Sequence, residues 1–137
     1  MLGIARSEMV DSQWADNGPG WVAVLLDSPD AVLALEPNFD ELDVGVVAPY
    51  PPGSPEAFEV RAFFPKDGAT VEDPVTGSLN ASLAQWFLRA GIATAPFRTR
   101  QGVALGRAGV VSIDETPNGV VWVGGASTTC VSGTVTM

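Results

Sequence analysis

The sequence predicts an α+β domain in which a curved, mostly antiparallel sheet wraps around one central helix. Three observations predict it. One long helical face runs Leu79, Leu83, Trp86, Phe87 and Ala90, at i, i+4, i+7, i+8 and i+11. Strand-like segments, either continuously apolar or alternating, lie on both sides of that helix. After Gly91 the chain reads as strand and turn only. With Ala81 and Ala84 between its large residues and no charge before Arg89, the helix is expected to be largely buried.

The elements follow in order. Asp16-Asn17-Gly18-Pro19 reads as a turn, though it could also contact a ligand. Trp21-Val22-Ala23-Val24-Leu25-Leu26 is a short apolar run after it, a buried strand. Ser28-Pro29-Asp30 has the form of a helix start, with Ser28 as cap and Pro29 in the first turn. Ala31, Val32 and Leu35 give that short helix its apolar face, and Glu36-Pro37 ends it. Val44 to Ala48 is a second strand, and Pro49 to Pro55 a surface loop. In Phe58 to Phe64 the alternation puts Phe58, Val60, Ala62 and Phe64 on one face and Glu59, Arg61 and Phe63 on the other. Gly91 is placed to stop the central helix. Phe97 to Val103, Val110 to Asp114, Val120 to Val123 and Thr128 to Val135 are four further strands. Asn118-Gly119 marks a hairpin between two of them. No repeat or low-complexity tract interrupts this pattern.

At 137 residues the chain is expected to form one domain, 1–137, with a real core. No apolar run reaches the roughly 18 residues of a membrane span. The first residues lack the basic and apolar blocks of a signal peptide, so a soluble cytoplasmic protein that engages no membrane is the expectation. Seven basic against sixteen acidic residues, a net charge of -9, argue against nucleic acid. Eleven of the acids fall in residues 1–60 with Arg6 alone opposing them, whereas residues 61–137 hold six basic and five acidic residues. An anionic ligand would meet less repulsion on the second half. Cys130 cannot form an intrachain disulfide and reads as a buried free thiol on a strand. With no His and one Cys, no zinc site of the usual ligands is expected. Trp14, Trp21, Trp86 and Trp122 read as core residues.

The chemistry-bearing stretch is Glu72-Asp73-Pro74-Val75-Thr76-Gly77-Ser78-Leu79-Asn80, which passes from a strand straight into the helix. A helix start offers free N–H groups and a partial positive charge, and so favours anions. A carboxylate beside it, Asp73, suits proton transfer on a carboxylate-bearing substrate. The same residues also fit capping alone, with Asp73 or Thr76 satisfying the free N–H groups and Gly77 packing close. Gln101-Gly102 and Leu105 to Gly109 could cradle phosphate through glycine amides. Their spacing matches neither the P-loop nor the dinucleotide fingerprint, and they read better as turns with a surface Arg107.

The runs Arg61-Ala62-Phe63-Phe64, Glu72 to Trp86, Asp16-Asn17-Gly18-Pro19-Gly20-Trp21, Arg100 to Gly109 and Val121-Trp122-Val123-Gly124-Gly125 together resemble the phenazine-biosynthesis PhzF-like isomerase family. The resemblance covers nearly the whole chain. It implies the diaminopimelate-epimerase-like fold: two similar domains, each a curved sheet around a helix, with the active site between them. It implies isomerisation or epimerisation by proton transfer without a cofactor or metal. Carried over by motif, Asp73 resembles the acidic residue that the second domain contributes. Ser78 resembles the hydroxyl that contacts substrate, and Thr76 and Gly77 resemble the backbone anion site.

The family's first domain carries a Gly-Asn-Pro motif and a Glu that serves as the principal base, and this chain has neither. It resembles the second domain alone. The expected partners are therefore a small carboxylate-bearing substrate and either the missing first domain or a second copy of this chain, a homodimer that rebuilds the cleft. The isolated chain is expected to be inactive. A non-catalytic domain that binds a small anion or a protein is the competing expectation.

Overall fold

The computed structural model describes residues 2–39 and 41–136. Strand β1 (Met9–Asp16) pairs antiparallel with β2 (Gly20–Leu26) across the Asp16 to Pro19 turn, where Asp16 Oδ1 accepts from the Gly18 N–H. The five-residue helix α1 (Pro29–Leu33) carries the chain over to β3 (Val44–Pro49), which runs parallel to β2. Ser28 caps α1 as expected, its hydroxyl accepting from the Ala31 N–H at 3.3 Å. β3 pairs antiparallel with β4 (Phe58–Lys66).

The other flank of β4 is shared by two short strands laid end to end. β5 (Ala69–Asp73) pairs antiparallel with Ala62 to Lys66, and β6 (Phe97–Gln101) pairs parallel with Phe58 to Val60. Between β5 and β6 the chain forms the long helix α2 (Gly77–Ala90). Asp73, opposite Ala62, and Gln101, opposite Val60, therefore end their strands two residues apart along β4. β7 (Gly109–Glu115) and β8 (Val121–Gly125) extend the sheet antiparallel beyond β6. The pairing is mostly antiparallel, and among the described residues the chain is α+β, with a second, short helix besides α2.

Packing follows the two periodicities of the sequence. Leu79, Leu83, Trp86 and Phe87 of α2 bury against Phe58, Val60 and Ala62 of β4 and Trp21, Ala23 and Leu25 of β2. Burying each such side chain stabilises by about 1.5–3 kcal/mol, more than helix propensity can supply. At Gly45 a Cβ would lie 2.4 Å from Leu79 Cδ1, so glycine there admits the helix. The helix touches β1 at one end of the sheet and β7 and β8 at the other, so the sheet curves around it. Gly91 ends it with φ 69°, the left-handed stop that the sequence indicated. On the opposite face, Phe63 of β4 joins Val32 and Leu35 from the α1 segment and Val44 and Val46 of β3.

Four expectations need correction. Trp14 and Trp122 are 60% and 64% exposed, not core. Period-two alternation turns their neighbours Ala15, Val121 and Val123 inward instead. Thr128 to Val135 forms no strand, because no other described strand pairs with it, and Cys130 on it is exposed, not buried. Phe97 to Val103 is shorter than expected: the strand stops at Gln101 and a single 3₁₀ turn, Val103–Leu105, follows. Among the described residues no helix is long and apolar enough to cross a membrane.

Candidate functional site

The site grows from the gap between β5 and β6. β5 ends at Asp73; Pro74 has no N–H to continue the ladder, and the chain turns through Val75 into α2. Thr76 holds the cap position with extended φ and ψ, yet its side chain makes no capping bond. Its hydroxyl instead donates backwards to Asp73 Oδ2 at 2.8 Å. Asp73 is half-buried, and Thr76 is buried.

The pure capping reading does not fit this geometry. Neither Asp73 nor Thr76 caps the first N–H groups of α2, and among the described residues no other side chain does. Gly77 is exposed, and a Cβ there would meet nothing within 4 Å, so packing does not require glycine. Among the described residues no side chain accepts from the N–H groups of Gly77 and Ser78, and these groups and the partial positive charge of a 14-residue helix lie next to a carboxylate. Ser78 is half-buried, and its hydroxyl accepts from Trp21 Nε1 at 3.3 Å. Asp73, Thr76, Gly77 and Ser78 therefore lie together at one helix start.

Gln101, which the sequence offers only as part of a turn, is the hub of the site. It is fully buried at the end of β6. Its Oε1 accepts from the Thr76 N–H at 3.1 Å and from Asn80 Nδ2 at 2.8 Å. Its Nε2 donates to the Asp73 carbonyl at 2.9 Å and to Thr76 Oγ1 at 3.0 Å. Asn80 also donates to the Thr76 carbonyl at 2.9 Å and accepts from the Thr99 hydroxyl at 2.5 Å. One signal pointed here: Asn80 is a polar residue beside Leu79 on the buried side of an apolar helix, and such a group needs buried partners.

Two glycines let this loop sit close. At Gly102, φ 87°, a Cβ would lie 2.6 Å from the Pro74 carbonyl oxygen. At Gly109 it would lie 2.3 Å from Val75 Cγ2. Gly102 and Gly109 therefore serve close packing as well as turns. Beside the helix start, Val75, Gly77, Gly109, Val123 and Gly124 line an open cleft of about 640 Å³.

β5 is anchored from behind. Arg61 grips Glu72 with two bonds, Nε to Oε1 at 3.0 Å and Nη2 to Oε2 at 2.7 Å. Its Nη1 donates to the carbonyls of Val32, Leu33 and Leu35 at the end of α1. Farther along the same face, Tyr50 donates to Glu59 Oε2 at 2.5 Å, while buried Glu59 Oε1 has no partner among the described residues. Burial holds the Glu59 carboxyl above its ordinary range, against the opposing pull of the Tyr50 bond and of Arg100 and Arg61. Burial and Glu59 push the Tyr50 phenol up to about 12.

Residues 2–133 match the family model described as phenazine biosynthesis-like protein. The chain belongs to that family. A curated relative, an uncharacterized isomerase of Pasteurella multocida strain Pm70, is 28% identical over 128 residues; the match covers 91% of this chain and 44% of the relative. A Bacillus anthracis phenazine biosynthesis protein of the PhzF family, solved by crystallography, superposes with a TM-score of 0.69 at 14% identity. That match covers 85% of this chain and 46% of the other, and it speaks for the fold. The chain therefore spans about half the length of the relatives it matches.

Proposed function

We propose that this chain is the substrate-binding half of a cofactor-independent isomerase or epimerase that moves a proton on a small carboxylate-bearing molecule. The fold inferred with it is diaminopimelate-epimerase-like, and the chain corresponds to the second domain. The observation that carries the reading is the uncapped start of α2 beside Asp73. The family membership, and the name isomerase borne by the Pasteurella relative, support the reaction class.

In this reading the substrate carboxylate rests on the N–H groups of Gly77 and Ser78, with the Ser78 hydroxyl beside it. Asp73 faces the carbon next to that carboxylate. A carboxylate takes the proton from one face of the carbon, and the C–H electron pair spreads into the substrate carboxylate, where the helix start stabilises the added charge. An acid on the other face returns a proton, so the count of protons is unchanged. One group cannot serve both faces, and the second acid/base belongs to the partner half. The isolated chain then binds carboxylates and turns nothing over.

Calorimetry with L-alanine and lactate on wild type and Asp73→Asn tests the site. Removing the negative charge beside the bound carboxylate should tighten binding about 3-fold. Equal affinities would take Asp73 out of the site.

A further inference from the structure

We infer that Gln101 is a positioning residue that points the Thr76 hydroxyl proton at Asp73 Oδ2 and leaves Oδ1 as the atom that carries the transferred proton. The inference rests on the proton-transfer reading above. It follows from which groups can donate and which can only accept. The Thr76 backbone N–H can only donate, so the Gln101 atom facing it at 3.1 Å must be the oxygen. The Asp73 carbonyl can only accept, so the Gln101 atom facing it at 2.9 Å must be the nitrogen. Two backbone groups thus fix the orientation of the amide, and no flipped form satisfies both.

The rest is forced. Gln101 Nε2 donates its other proton to Thr76 Oγ1 at 3.0 Å. A hydroxyl that receives this bond has its own single proton left to give, and the acceptor within reach is Asp73 Oδ2 at 2.8 Å. Asn80 is wired the same way. Its nitrogen serves the Thr76 carbonyl and Gln101 Oε1, and its oxygen takes the Thr99 hydroxyl. Every polar atom of the Gln101 amide is used, and the side chain is fully buried. Asp73 Oδ1 has no hydrogen-bond partner among the described residues, and Asp73 is half-exposed. During transfer the proton passes between the substrate carbon and Oδ1, the C–H electron pair stays with the substrate, and Thr76 keeps its proton throughout.

The test uses Gln101→Glu, close in shape but unable to donate to Thr76 or to the Asp73 carbonyl. The Thr76 hydroxyl should then swing to the new carboxylate and release Asp73. Thr76→Val removes the same bond from the other side, and Thr76→Ser retains it. The readout is the carbon-13 signal of the Asp73 carboxyl at one fixed neutral pH on the isolated chain. Gln101→Glu and Thr76→Val should displace it in the same direction, and Thr76→Ser should return it towards the wild-type position. An unmoved signal in Gln101→Glu, with Thr76→Val displaced, overturns the role of Gln101. An unmoved signal in Thr76→Val overturns the whole relay.

If Gln101→Glu does not fold, wild type decides the matter. Through-space contact between the Gln101 side-chain amide protons and the Thr76 hydroxyl supports the relay, and its absence overturns it. In a reconstituted two-half enzyme, Gln101→Glu should slow solvent-deuterium exchange, by up to about 100-fold. The predicted signals without exchange in any reconstitution would defeat the proton-transfer reading. Exchange without the predicted signals would defeat this inference alone.

Discussion

At the scale of single residues, buried polar groups hold the site in shape. Gln101 satisfies the Thr76 N–H, the Asp73 carbonyl and Asn80 at once. Gln101→Ala strands those groups, and each unpaired buried group costs about 1–3 kcal/mol. A loss of about 3 kcal/mol or more in urea unfolding is expected. Glu59 gives a pH dependence with a definite sign. Its folded-state carboxyl titrates above the ordinary 4.5, so as pH rises past 4.5 the unfolded chain ionises first. The unfolded state then binds fewer protons than the folded one, and stability falls as pH rises. Below 4.5 the group is protonated in both states and contributes no slope. The stability of Glu59→Gln minus that of wild type should therefore grow from pH 4.5 upward, as read by thermal unfolding across pH. Asp73 stood out in the sequence as a candidate because it lies where the chain passes from a strand into the long helix, in a chain without His. Gln101 was not legible, since nothing in Arg100-Gln101-Gly102 says that a side chain will reach into the next strand's gap.

At the scale of elements, the site exists because β5 and β6 share one flank of β4 and leave a gap for the start of α2. The helix itself was plain in the sequence, from its apolar face to its stop at Gly91. A strand running into the helix was legible at Glu72-Asp73 but its bounds were not, since Ala69 to Asp73 is short and half polar, and pairing rather than propensity makes it a strand. A usable signal stood just before it. Asp67 and Gly68, at φ 52° and 75°, form the tight turn that joins β4 to β5, and Asp-Gly is a strong hairpin signature. Gly102→Ala tests how closely β6's end presses on the loop. The added Cβ combines positive-φ strain with a 2.6 Å approach to the Pro74 oxygen. A loss of about 1–3 kcal/mol is expected by denaturant unfolding, with the amide signals of residues 76–79 displaced.

At the scale of the molecule, β1 and β8 are the end strands of the curved sheet among the described residues, and each carries an exposed tryptophan. Trp14 and Trp122 read as core from composition, because a large aromatic is usually buried. Which face of an edge strand it occupies depends on what the rest of the assembly covers. If a partner half that completes the cleft also reaches over the β8 edge, Trp122 is the exposed ring it would meet. Trp122→Ser should change the stability of the isolated chain by no more than about 0.5 kcal/mol and should weaken association with that half in sedimentation.

Asp73 is proposed as one side of a two-sided proton-transfer site. The most direct measurement mixes this chain with the N-terminal half of a full-length family relative in deuterated water and follows deuterium entering the carbon next to the carboxylate of that relative's substrate. Exchange is expected in the mixture, none from either half alone, and none when Asp73 is replaced by Asn. Undiminished exchange in the mixture carrying Asp73→Asn would take Asp73 out of the proton transfer.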